Sequence, residues 1–284
     1  MKLTNKIKMK IARLSIDPVQ LLTYLKSLQT GENHKIGTNG YYLDKFVNWL
    51  EYGGKLPFNV FKVGNKKLPF LTFSTLPVVN CPGALDCLVY CYSLKGWRYP
   101  AVFFGQLQNT LLMNDFSIIE RELNRVLNSS KFRDKSRVDF RLYVDGDFKT
   151  IDDLKNWMNL LDKFPVLSSI PPKISLFPVL SSYGYSKSLN LFLQLNETGF
   201  KFPKNYVLNL SNGGKFDMFK PILQKLDFVR GNFTAVKGKI SEIRKQFKKK
   251  IFICPGECGS CTSKGHACGN NDIFGGMEIV IPIH

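Results

Sequence analysis

Histidine is nearly missing from this chain, with three among 284 residues. That leaves little room for a Ser/His/Asp hydrolase, and no such arrangement can be picked out. No glycine-rich P-loop is present to cradle phosphates. No run of about 18 apolar residues occurs, so no transmembrane helix and no membrane partner are expected. The opening MKLTNKIKMKIARLSI alternates lysine with single apolar residues and lacks the continuous apolar core of a secretory signal. It reads as a solvated helix or arm, with an amphipathic targeting segment as the alternative. Acidic side chains are also scarce, 22 against 40 basic ones, for a net charge of +18. Such a surplus points to a polyanionic partner, nucleic acid foremost, although AT-rich coding also yields chains rich in lysine, asparagine and phenylalanine. A hydrophobic content of 44% with 23 phenylalanines fits a globular protein rather than a disordered one.

Cysteine is missing from about 160 residues in the middle of the chain, so the seven present fall into two groups. Seven is odd, and disulfides alone cannot use every thiol. Clustered free cysteines without a signal sequence argue for a reducing compartment, hence the cytoplasm. Cys81, Cys87 and Cys91 lie in CPGALDCLVYCY, spaced C-x5-C-x3-C. Cys254, Cys258, Cys261 and Cys268 lie in CPGECGSCTSKGHAC, spaced C-x3-C-x2-C-x6-C. Three thiolates on an iron–sulfur cluster leave one iron open for chemistry, whereas four close a site. The first spacing lets one loop wrap a face of a [4Fe–4S] cubane, with Pro82 and Gly83 suited to the turn. A three-cysteine zinc site completed from afar, or plain buried thiols, are the alternatives. At the second group zinc and a closed iron–sulfur cluster both fit. His266 reads as a bystander there, because Cys268 is available.

Residues 1–56 read as a helical accessory segment. Asp17-Pro18 opens PVQLLTYLKSL as N-cap and first helical residue, and YYLDKFVNWLEY stops at Gly53-Gly54. From residue 57 to 254 the pattern becomes α/β. Two strands joined at Gly64-Asn65 come first, the second over 69–75. Helices are expected over 99–113 and 116–128, and then strands alternate with helices. The strands are 137–144, 173–180, 206–210, 232–236 and 250–254. The helices start near Thr150 (with Asp153 completing a capping box), run from Ser186 to Leu195, span 216–226 around Pro221, and span 239–249. Residues 255–284 form a cysteine-rich metal segment ending in an edge strand, 277–284. Six strands feeding helices predict a partial (βα)6 barrel-like parallel sheet. Chemistry in such sheets gathers at the carboxyl ends of strands. Both cysteine groups sit there, after the first and last strands of the set, which a curled sheet would bring onto one surface.

Other candidates share that end. Asp145-Gly146-Asp147 follows the second strand, where Gly146 lets a ligand approach the backbone and Asp147 can hold an amino group or ribose hydroxyl. A turn with a helix cap explains the same residues. Tyr183, Tyr185, Ser186 and Lys187 follow the third strand and could line the same mouth, with Ser186 alternatively an N-cap. Arg141 stands inside a strand, where an unpaired charge is costly, so it should face a polar centre or a carboxylate such as Asp139. Lys237, Lys239, Arg244, Lys245, Lys248, Lys249 and Lys250 form the densest basic patch, fit for phosphates or simply a solvated helix.

Cys81-Pro82-Gly83-Ala84, Cys91-Tyr92, Asn109, Arg141, Gly146-Asp147-Phe148, the Tyr185-Ser186-Lys187 stretch and the late Cys254-Pro255 together resemble a phage- and plasmid-borne family known as gene-product-88-like. The resemblance covers roughly residues 64–268 and implies a mobile-element protein without implying an activity. More distantly the layout is similar to a radical S-adenosylmethionine (radical SAM) domain. That resemblance implies a [4Fe–4S] cluster on Cys81, Cys87 and Cys91 and a Gly146-Asp147 contact to the methionyl amine of S-adenosylmethionine. It also implies an auxiliary cluster on the last four cysteines. The first spacing departs from the C-x3-C-x2-C usual in radical SAM domains, which Cys254, Cys258 and Cys261 do show; a reversed assignment would meet Cys268 capping the open iron. The expected function is thus a radical SAM-like enzyme acting on a nucleic acid or nucleotide. The rivals are a non-enzymatic nucleic-acid-binding protein of phage or plasmid replication or maintenance, and a metal-stabilised interaction module.

Overall fold

The computed structural model describes residues 3–66, 68–89, 91–164, 178–247, 250–259, 261–262 and 265–283. Three helices come first. In α1 (Asn5–Leu14) the Thr4 hydroxyl caps the amide of Ile7. In α2 (Pro18–Ser27) the Asp17 carboxylate accepts from Val19 and Gln20, and Pro18 takes the first position, where its missing N–H costs nothing. The third helix, α3 (Asn39–Tyr52), ends at Gly53 in the left-handed region. Ile11, Leu21, Leu25, Leu43 and Phe46 share one core with Leu76, Trp97 and the apolar side of α5 (Pro100–Leu112). Lys8 is buried in that seam, its ammonium donating to the Trp97 carbonyl and lying 5.6 Å from the Phe103 ring. The helical segment is thereby joined to the α/β body by shared packing.

Every residue of α5 from Phe103 to Leu112 is buried, so its polar side chains must find protein partners. Gln108 pairs with both the amide and carbonyl of Phe58, Asn109 donates to the carbonyls of Val60 and Ser74, and Thr110 accepts from Leu76 and Asn80. These bonds hold the irregular chain 58–80 against the sheet and fix where the first cysteine loop begins.

The sheet has seven strands, all parallel: β1 (Leu71–Thr72), β2 (Arg137–Leu142), β3 (Val179–Ser186), β4 (Tyr206–Ser211), β5 (Val229–Lys237), β6 (Ile251–Ile253) and β7 (Glu278–Ile283). Their order is β1-β2-β3-β4-β5-β7-β6. The α/β class and parallel pairing are therefore as expected, while the sheet is open, with β1 and β6 at its two edges. Four other expectations are corrected. Of the two strands read over 57–75 only Leu71–Thr72 forms, and Lys62 makes a single antiparallel bridge to Thr72. The third strand runs on to Ser186 rather than ending at 180, and residues 173–177 of the expected stretch lie outside the described residues. The following helix, α8 (Leu189–Glu197), starts three residues late, so Ser186 ends a strand and caps nothing. The tail strand is no edge, because β7 slots between β5 and β6. The two later helices are shorter than expected: α9 (Lys220–Leu223), after a 3-10 turn at Asp217–Phe219, and α10 (Ile240–Gln246).

Strand alternation sorts the two faces. Val138, Phe140 and Leu142, then Leu180, then Tyr206, Leu208 and Leu210, pack with α6 (Phe116–Leu127), α7 (Ile151–Asp162) and α8. The capping box of α7, Thr150 with Asp153, is present as read. Tyr183 and Ile279 point to the opposite, inner face, where the C-terminal cysteine segment covers them. Connection handedness accounts for this. Right-handed crossovers from β1 through β4 advance along the sheet and stay on one face; β6 to β7 steps backwards, so a right-handed crossover lands on the other. Among the described residues no helix is long and apolar enough to cross a membrane.

Candidate metal centres

The first cysteine loop is bolted to three strand ends. Thr75 donates its amide to Asp145, and the Asp147 amide donates to Asn80. Further on, Lys215 donates to the Gly83 carbonyl, Ala84 bridges Gly214, and Asp86 donates to Gly213. Gly83 is needed for closeness: a Cβ there would sit 2.0 Å from the Lys187 carbonyl oxygen. Cys87 lies in the 3-10 turn Asp86–Leu88, and Cys91 precedes α4 (Ser93–Gly96). Burial, then the Asp147 charge, push the Cys81 thiol well above its usual range, and Cys91 and Cys87 add to the push. Burial raises Cys87 too, opposed by the Lys187 ammonium. The three thiols thus lie within electrostatic reach of one another.

The acidic turn after β2 is held open by strain and aromatic packing. Tyr143 adopts φ 54°, secured by the Trp157 indole N–H at 3.1 Å and by the Phe73 and Phe148 rings. Gly146 has φ 84°, and a Cβ on it would meet the Thr75 hydroxyl at 2.1 Å. The buried Asp147 carboxylate accepts from the Ser186 hydroxyl and from the amides of Phe148, Lys187 and Ser188. Burial outweighs these bonds and raises its pKa. Asp147 and Ser186 therefore clamp the β3–α8 turn to the β2 turn. Lys187 donates its ammonium to the Asn212 carbonyl while facing Cys87. Beside them, Asp145 accepts from Gln106, which in turn accepts from the Trp97 indole, and the Tyr92 hydroxyl donates to the Val144 carbonyl at 2.8 Å. A polar cleft of about 210 Å³ borders the turn, lined by Thr75, Asn80, Met113, Tyr143, Asp147 and Asp153 among others.

The second group converges on the inner face. Cys254, Cys258, Cys261 and Cys268 join one cluster with Phe70, Tyr183, Tyr185, Phe233, Phe252 and Ile279. The Gly256 amide donates to the Cys254 sulfur and the Ala267 amide to the Cys261 sulfur, both at 3.4 Å. Burial raises the Cys258 thiol, opposed by the Arg141 guanidinium, and Tyr185 and Arg230 oppose the same rise at Cys268. Burial pushes the Cys268 thiol up to about 11. Arg141 stacks 4.8 Å over the Tyr185 ring, and its field also reaches Tyr92 beside the first loop. His266 lies between the Phe70 and Tyr183 rings, accepts from the Gly269 amide and faces Asp139 at 3.5 Å. Two residues escaped the sequence reading. Asn209 donates to the carbonyls of Gly184 and Cys268, and the fully buried Arg230 donates to Asn209, Phe274, Met277 and Asn232. The signal for Arg230 was a strand beginning at Val229 rather than at Asn232, which places its charge inside the sheet.

Among the described residues no group of three or more His, Cys, Asp or Glu side chains is arranged to hold a single metal ion. Lys237, Lys239, Arg244, Lys245 and Lys250 are all exposed around α10, while Lys248 and Lys249 lie outside the described residues.

A family model described as gene product 88 matches residues 50–237. The chain belongs to that family. The match takes in the first cysteine loop and five strands of the gene product 88 protein, and it ends before Cys254, short of the residue 268 reached by the sequence resemblance. No curated protein and no solved structure matches the chain at a significant level.

Proposed function

We propose that this gene product 88 protein is a mobile-element iron–sulfur enzyme of radical SAM-like type, acting on a nucleic acid or nucleotide. The supporting observation is the placement of Cys81, Cys87 and Cys91 on one loop anchored to the carboxyl ends of β2, β3 and β4. The donor set suits a cubane. Ligands to one zinc lie about 3.8 Å apart, from bonds of ~2.3 Å in a tetrahedron. A cubane takes each thiolate on a different iron, so its ligands stand wider. The neighbouring carboxylate, Asp147, is already committed to protein donors.

Cys81, Cys87 and Cys91 would hold the cluster, and bound there it would supply a reducible centre with one iron free of protein sulfur. Lys187 places positive charge beside it. S-adenosylmethionine would meet the backbone at Gly146, because Asp147, Ser186 and Lys187 already serve protein partners. Anaerobic purification with iron, sulfide and electron paramagnetic resonance measurements tests this. Iron and sulfide at about four each per chain support it, and zinc with no sulfide rejects it.

The exposed basic residues around α10 favour a second reading, a nucleic-acid-binding protein without catalysis. Binding that weakens steeply with salt and ignores both S-adenosylmethionine and Asp147→Asn would support that reading.

A further inference from the structure

The segment that carries the first three cysteines also carries an apolar surface open to solvent. Leu85, Leu88, Val89, Tyr92 and Tyr99 are all exposed, five large hydrophobic side chains within residues 85–99. No other described stretch of that length holds more than two. Exposed apolar side chains are ordinarily scattered singly, and a concentration of them marks an interaction site.

The backbone orders this surface. The Lys95 amide donates to the Tyr92 carbonyl and the Arg98 amide to the Lys95 carbonyl. Bonds from residue i to i−3 bring every third side chain into line. Tyr92, Lys95 and Arg98 therefore form a row about 12 Å long, at ~2 Å per residue. Tyr99 adjoins its end, with the Arg98 guanidinium 4.7 Å from the ring centroid. Tyr92 is 60% exposed, yet its hydroxyl is tied to the Val144 carbonyl beyond β2 at 2.8 Å. The ring is thus already immobilised, and a flat group stacking on it costs little further rotamer entropy.

Charge selects the occupant. Lys95 and Arg98 are exposed, and among the described residues neither has an ion-pair partner. Lys215, whose amide donates to the Gly83 carbonyl, adds a third exposed cation at the base of the loop. Asp86 is the only carboxylate from Cys81 to Tyr99. Nearby, Asp217 is paired with Lys220 at 3.0 Å, and Asp145 accepts from Gln106. The row is therefore net positive in a chain of net charge +18. An apolar protein partner would bury these cations without counter-charge. Rings interleaved with cations suit bases joined by phosphates, and the base faces are free only in an unpaired strand.

We propose that Tyr92, Lys95, Arg98 and Tyr99 form a platform for single-stranded nucleic acid. Unpaired bases stack on the two rings and on the Arg98 guanidinium, and phosphates meet Lys95, Arg98 and Lys215. Tyr92 adjoins Cys91 in the chain, so the bound strand passes the first cysteine loop. The platform rests on the nucleic-acid part of the proposed function and moves that contact from the basic residues around α10 to the cysteine rim.

The test is fluorescence anisotropy on the full chain, with labelled thymidine and uridine strands of about 15 nucleotides and a duplex of the same length. Either strand should bind more tightly than the duplex, and the preference between them tells DNA from RNA. Tyr92→Ala and Tyr99→Ala should each weaken strand binding by about 5–150-fold, whereas Tyr99→Phe keeps it. Lys95→Gln should lower the slope of log affinity against log salt by about 0.7. Arg244→Gln with Lys245→Gln should change little. Duplex binding as tight as strand binding overturns the platform, as does wild-type affinity in Tyr99→Ala. So does loss of binding in the Arg244 and Lys245 variant alone, which returns the contact to α10. No strand binding, with a dimer that Val89→Asp disrupts, overturns it in favour of a second copy of the chain. Binding is read without S-adenosylmethionine, and iron and sulfide are measured on the same preparation, so the platform and the iron–sulfur reading fail separately.

Discussion

The two cysteine regions differ in what surrounds their sulfurs. The last four sit on the inner sheet face, with backbone amides donating to Cys254 and Cys261 and the charges of Arg141 and Arg230 acting on Cys258 and Cys268. The first three sit on a rim loop whose bonds run from backbone to backbone, with one carboxylate and one ammonium nearby. One region is built to hold charge still. The other is built to hold a loop still and leave its thiols facing the strand ends. Chemistry that needs an open coordination position belongs to the second kind of place.

The sharpest way to break this contrast is Gly83→Val. No side chain fits against the Lys187 carbonyl, so the rim loop must lift from β3 and β4. Overpacking of this kind costs about 3 kcal/mol or more. Metal analysis should show the first region empty of iron; iron held at the wild-type level would mean that the loop needs no seat on those strands. Asp147→Asn comes next. It turns an acceptor toward the amides of Lys187 and Ser188 into a donor, at a cost of about 2–3 kcal/mol by urea unfolding. A neutral result would show that the clamp is dispensable.

Asn209→Ala sharpens the other side. It strips the Cys268 and Gly184 carbonyls and Arg230 of a partner, for about 2 kcal/mol. Faster amide exchange should be confined to 266–283. The smallest effect is Asp139→Asn. Burial raises the Asp139 pKa, but His266 and Arg137 together bring it below the usual carboxylate range. Its contribution is therefore full above the unfolded value of about 4 and fades as pH falls through the folded value. The stability gap to Asp139→Asn, about 1 kcal/mol or less for a partly exposed pair, should be present just above pH ~4 and close as pH falls below it.

Helix caps and the strand–helix alternation were legible because they are local: Asp17-Pro18, Thr150 with Asp153, and Gly53 each act within one turn. The far end of the third strand was missed because its helix-facing residues, Ser182, Gly184 and Ser186, are small and carry no apolar alternation. Ser182 is satisfied by the Asn205 carbonyl and Ser186 by Asp147, partners 23 and 39 residues away that no window contains. The cysteine spacing marked both candidate centres. It did not reveal Asn209 or Arg230, which join the second centre only through sheet order.

The late insertion of β7 has a consequence for biogenesis. While the polypeptide is being made, β5 lies finished with a bare flank, and β6 emerges with no neighbour to dock on. The 46 residues from Lys237 to Ile283 take about 2–9 s at ~5–20 residues per second. Through that interval the nascent chain offers an unprotected parallel flank, and the ribosome itself is its nearest shield.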